Sequence, residues 1–559
     1  MTKQALISVS DKRGVAEFAR ELNGLGYRLI STGGTAGALE QAGIPVRRVE
    51  QLTGFPEIMD GRVKTLHPKV HAGILARLPQ DGEHLERLGI EPIDLVAVNL
   101  YPFRETVARG DVTLEQAVEQ IDIGGPSMLR AAAKNFARVT VVVNPERYPE
   151  VIRELREQGA TSPATRLRLA REAFWHTAVY DAAITNYLYA INPDEMGATS
   201  GESGKEGIGE ANAGRPRTSN LKLQAAIMLP LVKLTGLRYG ENPHQQAAFY
   251  RDETGYEAGS PHGLAGARQL QGPELSFNNI LDLDAAVRVA SEFQGAAAVV
   301  IKHNKPSGVA CAASLEEAFR LARQADATAA YGGIVGLNRT VDRATAEAVR
   351  ETFFEAVIAP AFTEEALKIL SSRQKLRLLA VGERGLRQEL DFKRVSGGFL
   401  LQESDPPLDL NQVRRSCRVV TRQAPTEDQW DDLLFAWVVV KHAVSNGIVI
   451  AGRAGADPLK RVPSVDGRRG RVTLGIGQGQ VSRIDAVNIA LAKAGARARG
   501  AVLASDGFLP FDDSVRSAAA AGVAAIIQPG GSVHDREAIA AADAVGMAMV
   551  CTGSRHFKH

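Results

Sequence analysis

The chain has 559 residues, more than one hydrophobic core usually supports, so two or more domains are expected. A formal net charge of +2, with 45% hydrophobic and 23% charged residues, argues against a general nucleic-acid binder and for a glycine-rich α/β protein. Cys311, Cys417 and Cys551 are widely spaced with no Cys-x-x-Cys pair, which argues against a disulfide framework or a thiolate zinc site, and no apolar run has the length of a membrane span.

Met1-Thr2-Lys3-Gln4 runs straight into an apolar strand pattern without signal-peptide architecture, so the cytoplasm is the expected location. Residues 5–9, 27–30, 95–100 and 139–143 are short apolar runs set between helical periodicities, the pattern of buried parallel strands in a βαβ domain over 1–191. Two of these strands end in polar turns, Ser10-Asp11-Lys12 and Ser31-Thr32-Gly33-Gly34-Thr35, each leading into a helix whose free N–H groups suit a phosphate. Taken alone, the second turn reads as a capped helix start. Its neighbour at 61–68 shifts the reading, because Arg62, Lys64 and Thr65 share one loop and cations there need an anion. His67 and His71 have the i, i+4 spacing of metal ligands, but Pro68 and the missing acidic ligand make zinc the weaker reading. Asn99-Leu100-Tyr101 ends a strand, and 122–126 opens a helix that stops near Lys134. Tyr101, Asp122 and Lys134 either converge on a ligand or are ordinary packing, flanking and surface residues; the pattern leaves both open. A long amphipathic helix is predicted over 166–188, with Trp175, Val179 and Ala183 at four-residue steps read as core. Residues 192–220 are Gly-, Ser-, Glu- and Asn-rich and read as a flexible linker.

Beyond the linker, Arg238 and Tyr239 lie in a turn-forming cluster of the kind that binds ligands. The stretch 299–308, Val-Val-Ile-Lys-His-Asn-Lys-Pro-Ser-Gly, reads as a buried strand that delivers Lys302 and His303 and then turns at Pro and Gly. It returns at 438–447 as Val-Val-Val-Lys-His-Ala-Val-Ser-Asn-Gly. Further echoes set 329–333 against 505–508 and 357–360 against 526–529, so an internal duplication is predicted, with lobes at 221–410 and 411–559. Residues 475–483 form a glycine loop between a strand and a helix. A dinucleotide site is disfavoured there, because the spacing is G-x-G-x-G and no acidic ribose partner follows at the expected distance.

Four motifs then carry a resemblance: Lys-Thr-Leu-His-Pro-Lys-Val-His-Ala-Gly-Ile-Leu from Lys64, Gln-Ile-Asp-Ile-Gly-Gly from Gln120, Leu-Arg-Tyr-Gly-Glu-Asn-Pro-His-Gln from Leu237, and Arg-His-Phe-Lys-His from Arg555. Through them the chain resembles, over nearly all of its length except the linker, the bifunctional purine-biosynthesis (PurH) family, which joins AICAR formyltransferase to IMP cyclohydrolase. The resemblance implies an α/β fold with a methylglyoxal-synthase-like N-terminal domain and a duplicated cytidine-deaminase-like C-terminal region. It also implies 10-formyltetrahydrofolate as cosubstrate, a homodimer, and no nucleic-acid or membrane partner. The deaminase zinc signature is absent, so no catalytic metal is expected.

For formyl transfer the resemblance makes His303 the base, Lys302 its charge partner, and Asn446 the contact to the formyl oxygen or the carboxamide. It places AICAR against Arg238, Tyr239, Gly332, Glu355, Arg483, Phe508, Asp513 and Arg555. For ring closure it assigns the phosphate to Ser10, Lys12, Gly34, Thr35, Arg62 and Thr65, with Asp11, Thr32, Gly33 and Asn99 in the same turns or at the strand end beside them. Lys64, Tyr101, Asp122 and Lys134 fall around the ring, Lys134 as proton donor and acceptor. Two positions depart from the family pattern: Lys305 precedes the proline where Asn is usual, with Asn304 one place earlier, and Ala329 replaces a usual Ser. The rival readings are a nucleotide-sensing regulatory protein and a monofunctional enzyme with one degenerate half. A sensor needs only the phosphate groups, so the presence of both sets of reacting residues argues against it.

Overall fold

The computed structural model describes residues 2–109, 111–191, 225–253, 263–382, 389–453 and 470–559. The chain divides into two units, Met1–Val232 with Asp252–Gly259, and Lys233–Arg251 with Ser260–His559. The predicted linker at 192–220 lies outside the described residues.

In the first unit β1 (Gln4–Val9), β2 (Arg28–Ser31), β3 (Arg47–Arg48), β4 (Leu95–Asn99) and β5 (Thr140–Val142) form a parallel sheet in the order β3-β2-β1-β4-β5. The central strands are covered on both faces, which is why Ala5-Leu6-Ile7 and Leu95-Val96-Ala97 read as unbroken apolar runs. Winding reverses at β1, with β2 on one side and β4 on the other. Such a reversal leaves a crevice beyond the strand carboxyl ends, where α/β sheets hold ligands. The long helix Pro163–Tyr189 buries Leu169, Ala173, Thr177 and Tyr180. Trp175 is not core as expected: it lies about half a turn from Ala173, off that stripe, and is 39% exposed.

β6 (Leu231–Leu237) and β7 (Ala247–Asp252), mostly within the second unit, make a two-stranded ribbon. A 12-stranded sheet then takes β8 (Arg268–Gln271), β9 (Ala296–Lys302), β10 (Lys305–Ala312), β11 (Ile334–Leu337), β12 (Ala356–Ala359) and β13 (Arg377–Ala380). After a second ribbon, β14 (Leu390–Val395) with β15 (Gly398–Glu403), the same sheet continues in β16 (Arg418–Val419), β17 (Ile448–Arg453), β18 (Arg471–Gly477), β19 (Val502–Ser505), β20 (Ala525–Gln528) and β21 (Ala548–Cys551).

Its two halves repeat one element order. A helix (Phe277–Ser291 or Glu427–Lys441) leads into an antiparallel pair, β9–β10 or β17–β18. Helix and strand then alternate through β11, β12 and β13, or through β19, β20 and β21. The sheet order, β21-β20-β19-β17-β18 followed by β10-β9-β11-β12-β13, is a mirrored sequence meeting where β18 pairs with β10. Gly308 on β10 and Gly475 on β18 occupy matching places: a Cβ on either would overlap the carbonyl oxygen of Ala322 or Ala490 on the helix packed above. The glycines at 475 and 477 therefore let the helix Arg483–Ala494 close onto its strand, which leaves Gly479 as the one glycine of the motif in the loop.

The matching 357–360 and 526–529 segments fall on equivalent strands, β12 and β20. The two Lys-His motifs do not. Lys302 ends a strand, whereas Lys441 ends the helix Glu427–Lys441, which is apolar on nearly every side because it is buried between layers. A short apolar run reads alike as buried strand or buried helix, and this is the cause of the misreading. Likewise 329–333 precedes β11 while 505–508 runs on from the end of β19. Pro306 and Gly308 lie inside β10, and the chain turns earlier, at His303-Asn304.

Candidate active sites

The first-unit crevice is built at the ends of β1, β2 and β4. Ser10 and Asp11 donate their backbone N–H groups to Asn99 Oδ1 at 2.7 and 2.8 Å, so the end of β4 holds open the turn after β1. Thr35 Oγ1 accepts the Val9 N–H at 3.0 Å and Thr32 Oγ1 pairs with Ser8 Oγ at 2.7 Å, which fixes the start of the helix Gly33–Gln41 beside that turn. The 61–68 loop comes to the same place. The direction a Gly33 Cβ would take ends 3.6 Å from Lys64 Nζ, and that of Gly124 ends 2.5 Å from Thr65 Oγ1. Lys64 Nζ lies 3.2 Å from Glu57 Oε1, Arg62 pairs with Glu119, and Asp11 is bound by Arg13.

Asp122 begins the helix Gly124–Lys134, where its Oδ1 accepts the Gly125 N–H at 2.8 Å. Its own N–H goes to Tyr180 Oη at 2.8 Å, and that hydroxyl donates to Gln120 O at 2.7 Å. Burial pushes the Asp122 carboxyl above the usual aspartate range, against the opposing pull of the Gly125 and Tyr101 N–H groups and of Lys64. Lys64, Thr65, Tyr101 and Asp122 are thus together. Lys134 is not with them: it ends the same helix, about 15 Å along its axis, and lines a groove with Leu75, Phe136 and Phe174. His67 caps the helix Pro68–Leu75 by accepting the Lys69 N–H at its Nδ1, 3.1 Å away. Among the described residues no group of three or more His, Cys, Asp or Glu is placed to hold a metal.

In the second unit a cleft of about 950 Å³ gathers Arg238, Tyr239, Lys302, His303, Gly332 and Glu355. Lys302 and Lys305 are paired across β9–β10, so His303-Asn304 is a two-residue hairpin loop. Both residues have left-handed backbones, φ 54° and 60°, as the favoured two-residue loops require, at roughly 1 kcal/mol each for a residue with a side chain. Lys302 Nζ donates to Tyr331 O at 2.8 Å, and Glu355 Oε2 accepts the Asn279 amide at 2.8 Å. Asn279, Asp282 and Arg377 also line the cleft and were not foreseen from the sequence. The signal for Asp282 was its place on the helix preceding β9, visible only once that helix was set against the hairpin.

Asn446, Arg483, Phe508, Asp513 and Arg555 lie in the second half and do not line this cleft. Asn446 Nδ2 donates to Gln480 O and Val481 O at 2.9 and 3.0 Å. Its loop stands beside the foot of the His303 hairpin, because Gln478 Nε2 donates to Pro306 O at 2.8 Å and Lys305 Nζ lies against Gly479. Arg483 and Asp506 form a buried ion pair, with Ser505 Oγ accepting from the guanidinium at 3.0 Å. Asp513 Oδ1 accepts the Ser514 N–H at 2.6 Å, Phe508 is half-exposed, and Arg555 lies 4.6 Å from the Phe557 ring centre. Of the two departures, Lys305 adjoins the Asn446 loop, and Ala329 gives its N–H to Asp326 Oδ1 at 3.0 Å.

The second Lys-His motif has another role. Lys441 Nζ and His442 Nε2 both meet Glu292 Oε1, at 2.6 and 2.9 Å, with all three side chains nearly sealed from solvent. Burial alone would raise the Glu292 carboxyl; its two partners outweigh that and bring it down to about 2.

The model of the AICARFT/IMPCHase bienzyme family matches residues 132–493, and that of the MGS-like domain matches residues 14–127. A protein of Cyanothece sp. named "Bifunctional purine biosynthesis protein PurH" is 50% identical over 565 residues, covering 100% of both chains. Proteins of the same name from Sorangium cellulosum and Thermoanaerobacter sp. are 52% and 48% identical, again with 100% of each chain covered.

Proposed function

This chain belongs to the AICARFT/IMPCHase bienzyme family and carries both activities, AICAR formyltransferase and IMP cyclohydrolase, and from that premise we propose how its residues divide the work. The formyl donor is a formyl-folate, read here as 10-formyltetrahydrofolate. The observation that carries the assignment is the single cleft holding Lys302, His303, Arg238, Tyr239, Gly332 and Glu355.

Formyl transfer belongs to that cleft. The AICAR amine is a weak nucleophile because its lone pair is delocalised into the imidazole, so a base must take its proton as the new C–N bond forms. His303 is that base. The bond from the formyl carbon to folate N10 breaks, and N10 takes up a proton as it leaves. Lys302 has three N–H donors and spends one on Tyr331 O, which leaves two for the negative charge that grows on the formyl oxygen. Asn446 already gives its amide N–H groups to Gln480 and Val481, so the atom it offers is Oδ1, an acceptor suited to the AICAR carboxamide rather than to the formyl oxygen.

Ring closure belongs to the first-unit crevice. Ser10, Lys12, Gly34, Thr35, Arg62 and Thr65 hold the phosphate at the helix N-terminus. The carboxamide nitrogen attacks the formyl carbon, Lys64 polarises the formyl oxygen, and water leaves. Asp122 and Tyr101 relay the proton from the amide. Positioning supplies most of the rate, since both reacting atoms are in one molecule. Lys134 is too far along its helix to serve the same chain's Asp122, so it acts on the ring only when a second copy presents it, in keeping with a homodimer.

The first unit is read as methylglyoxal-synthase-like, and the repeated halves of the second as cytidine-deaminase-like lobes, supported by their shared element order. Among the described residues no helix is long and apolar enough to cross a membrane; a cytoplasmic location is part of this reading. The experiment is to supply AICAR and 10-formyltetrahydrofolate to the full chain and follow FAICAR and IMP. Both products are expected, and failure to form either removes the corresponding half of the assignment.

A further inference from the structure

The hairpin that carries His303 is held from outside itself. Neither residue of its loop is glycine, yet both stand in the left-handed region, where a side chain is disfavoured. Both are exposed, so the turn gains little from packing. The contact that fixes it comes from the helix Phe277–Ser291: Asp282 Oδ1 accepts the Asn304 N–H at 2.5 Å. Asp282 is half-buried and lines the same cleft as His303 and Lys302. Burial pushes its carboxyl above the usual aspartate range, opposed by the Asn304 N–H and by His303. A carboxylate kept in such a place, bonded to the backbone of the loop that carries His303, has a structural duty toward that loop.

We propose that Asp282 is a positioning residue for formyl transfer: by accepting the Asn304 N–H it holds the His303-Asn304 loop in the left-handed conformation that aims His303 at the substrate amine. This rests on His303 being the base. Asp282 neither takes the proton nor is needed for substrate affinity, so its loss acts on turnover.

The test uses the purified full chain, with steady-state formyl transfer as the readout and FAICAR cyclisation as a control on protein quality. Asp282→Ala is expected to lower kcat by roughly ten- to a hundred-fold while the KM for AICAR moves by less than about threefold. Asp282→Asn keeps an acceptor oxygen and is expected to retain at least about a third of kcat. Adding Asn304→Gly to Asp282→Ala lets the loop adopt its conformation unaided and is expected to recover about threefold or more in kcat. Where Asp282→Ala does not accumulate as folded protein, Asp282→Glu moves the acceptor by one methylene and is expected to lose about fivefold in kcat at unchanged KM. An Asp282→Ala chain within about twofold of wild-type kcat, an Asp282→Asn chain as damaged as Asp282→Ala, or no recovery with Asn304→Gly overturns the proposal. If instead His303→Ala transfers formyl at the wild-type rate, the base assignment is what falls.

Discussion

Lys441 Nζ stands 2.6 Å from Glu292 Oε1 with 2% and 4% of their side chains exposed, so a helix of one half of the second unit is tied to a helix of the other by a sealed ion pair. Glu292 Oε1 also meets His442 Nε2 at 2.9 Å, and Glu292 Oε2 accepts the Leu408 N–H at 3.1 Å.

Removing the carboxylate strands a buried ammonium. Glu292→Ala is expected to destabilise the second unit by about 3–5 kcal/mol in denaturant titration, far beyond the effect of an exposed pair such as Arg343–Glu347. An effect below about 1 kcal/mol would show that the charges are solvated.

The same site sets an acid limit. Folding lowers the Glu292 carboxyl from 4.5 to about 2, so the unfolded chain binds the extra proton and stability falls as pH drops through that interval. His442 is also lowered, from 6.5, by burial, so its proton is resisted by the folded state in the same sense and loss begins below 6.5. Thermal unfolding midpoints measured from pH 7 downward should therefore decline, and Glu292→Gln should make the slope below 4.5 shallower.

Gly477→Ala and Gly308→Ala drive a methyl into the backbone of the helix packed above each strand. Each is expected to cost about 2 kcal/mol or more in denaturant unfolding, whereas Gly24→Ala, which has open space around it, should be neutral or stabilising.

In the first-unit crevice burial raises the Asp122 carboxyl, and Lys64 is one of the groups that hold it down. Cyclisation of supplied FAICAR should fail on the acid side at a pH above that of an ordinary aspartate. Lys64→Met should move this acid limb to still higher pH as well as slow the reaction. A limb that stays in place would separate Lys64 from Asp122.

Lys134 gives a test of the second copy. Lys134→Ala and Asp122→Asn chains, each deficient in cyclisation, should recover part of the activity when mixed and exchanged, because one site of a mixed dimer then has both groups. No recovery would contradict the supply of Lys134 by a second copy.

Much of this was legible in the residues. Four of the five first-unit strands followed from their apolar runs, while β3, Arg47–Arg48, carries no such run; the polar turns at 10–12 and 31–35 fall at the open end of the sheet where its winding reverses. Lys302 does end a strand, with His303 next to it in the hairpin loop. The second Lys-His misled because Val438-Val439-Val440 lies in a helix buried all round, where periodicity vanishes. The distance of Lys134 from Asp122 follows from helix length, which spacing alone allows one to overlook. Asp282 was invisible because its partner is a backbone N–H twenty-two residues away.

The central claim is that the two reactions are divided between the units, and a crossed assay tests it most directly. Given AICAR and 10-formyltetrahydrofolate, the Asp122→Asn chain should accumulate FAICAR and form IMP about a hundredfold more slowly than wild type. The His303→Ala chain should form no FAICAR yet cyclise supplied FAICAR at the wild-type rate. IMP formed at the wild-type rate by Asp122→Asn, or cyclisation lost in His303→Ala, would contradict the division.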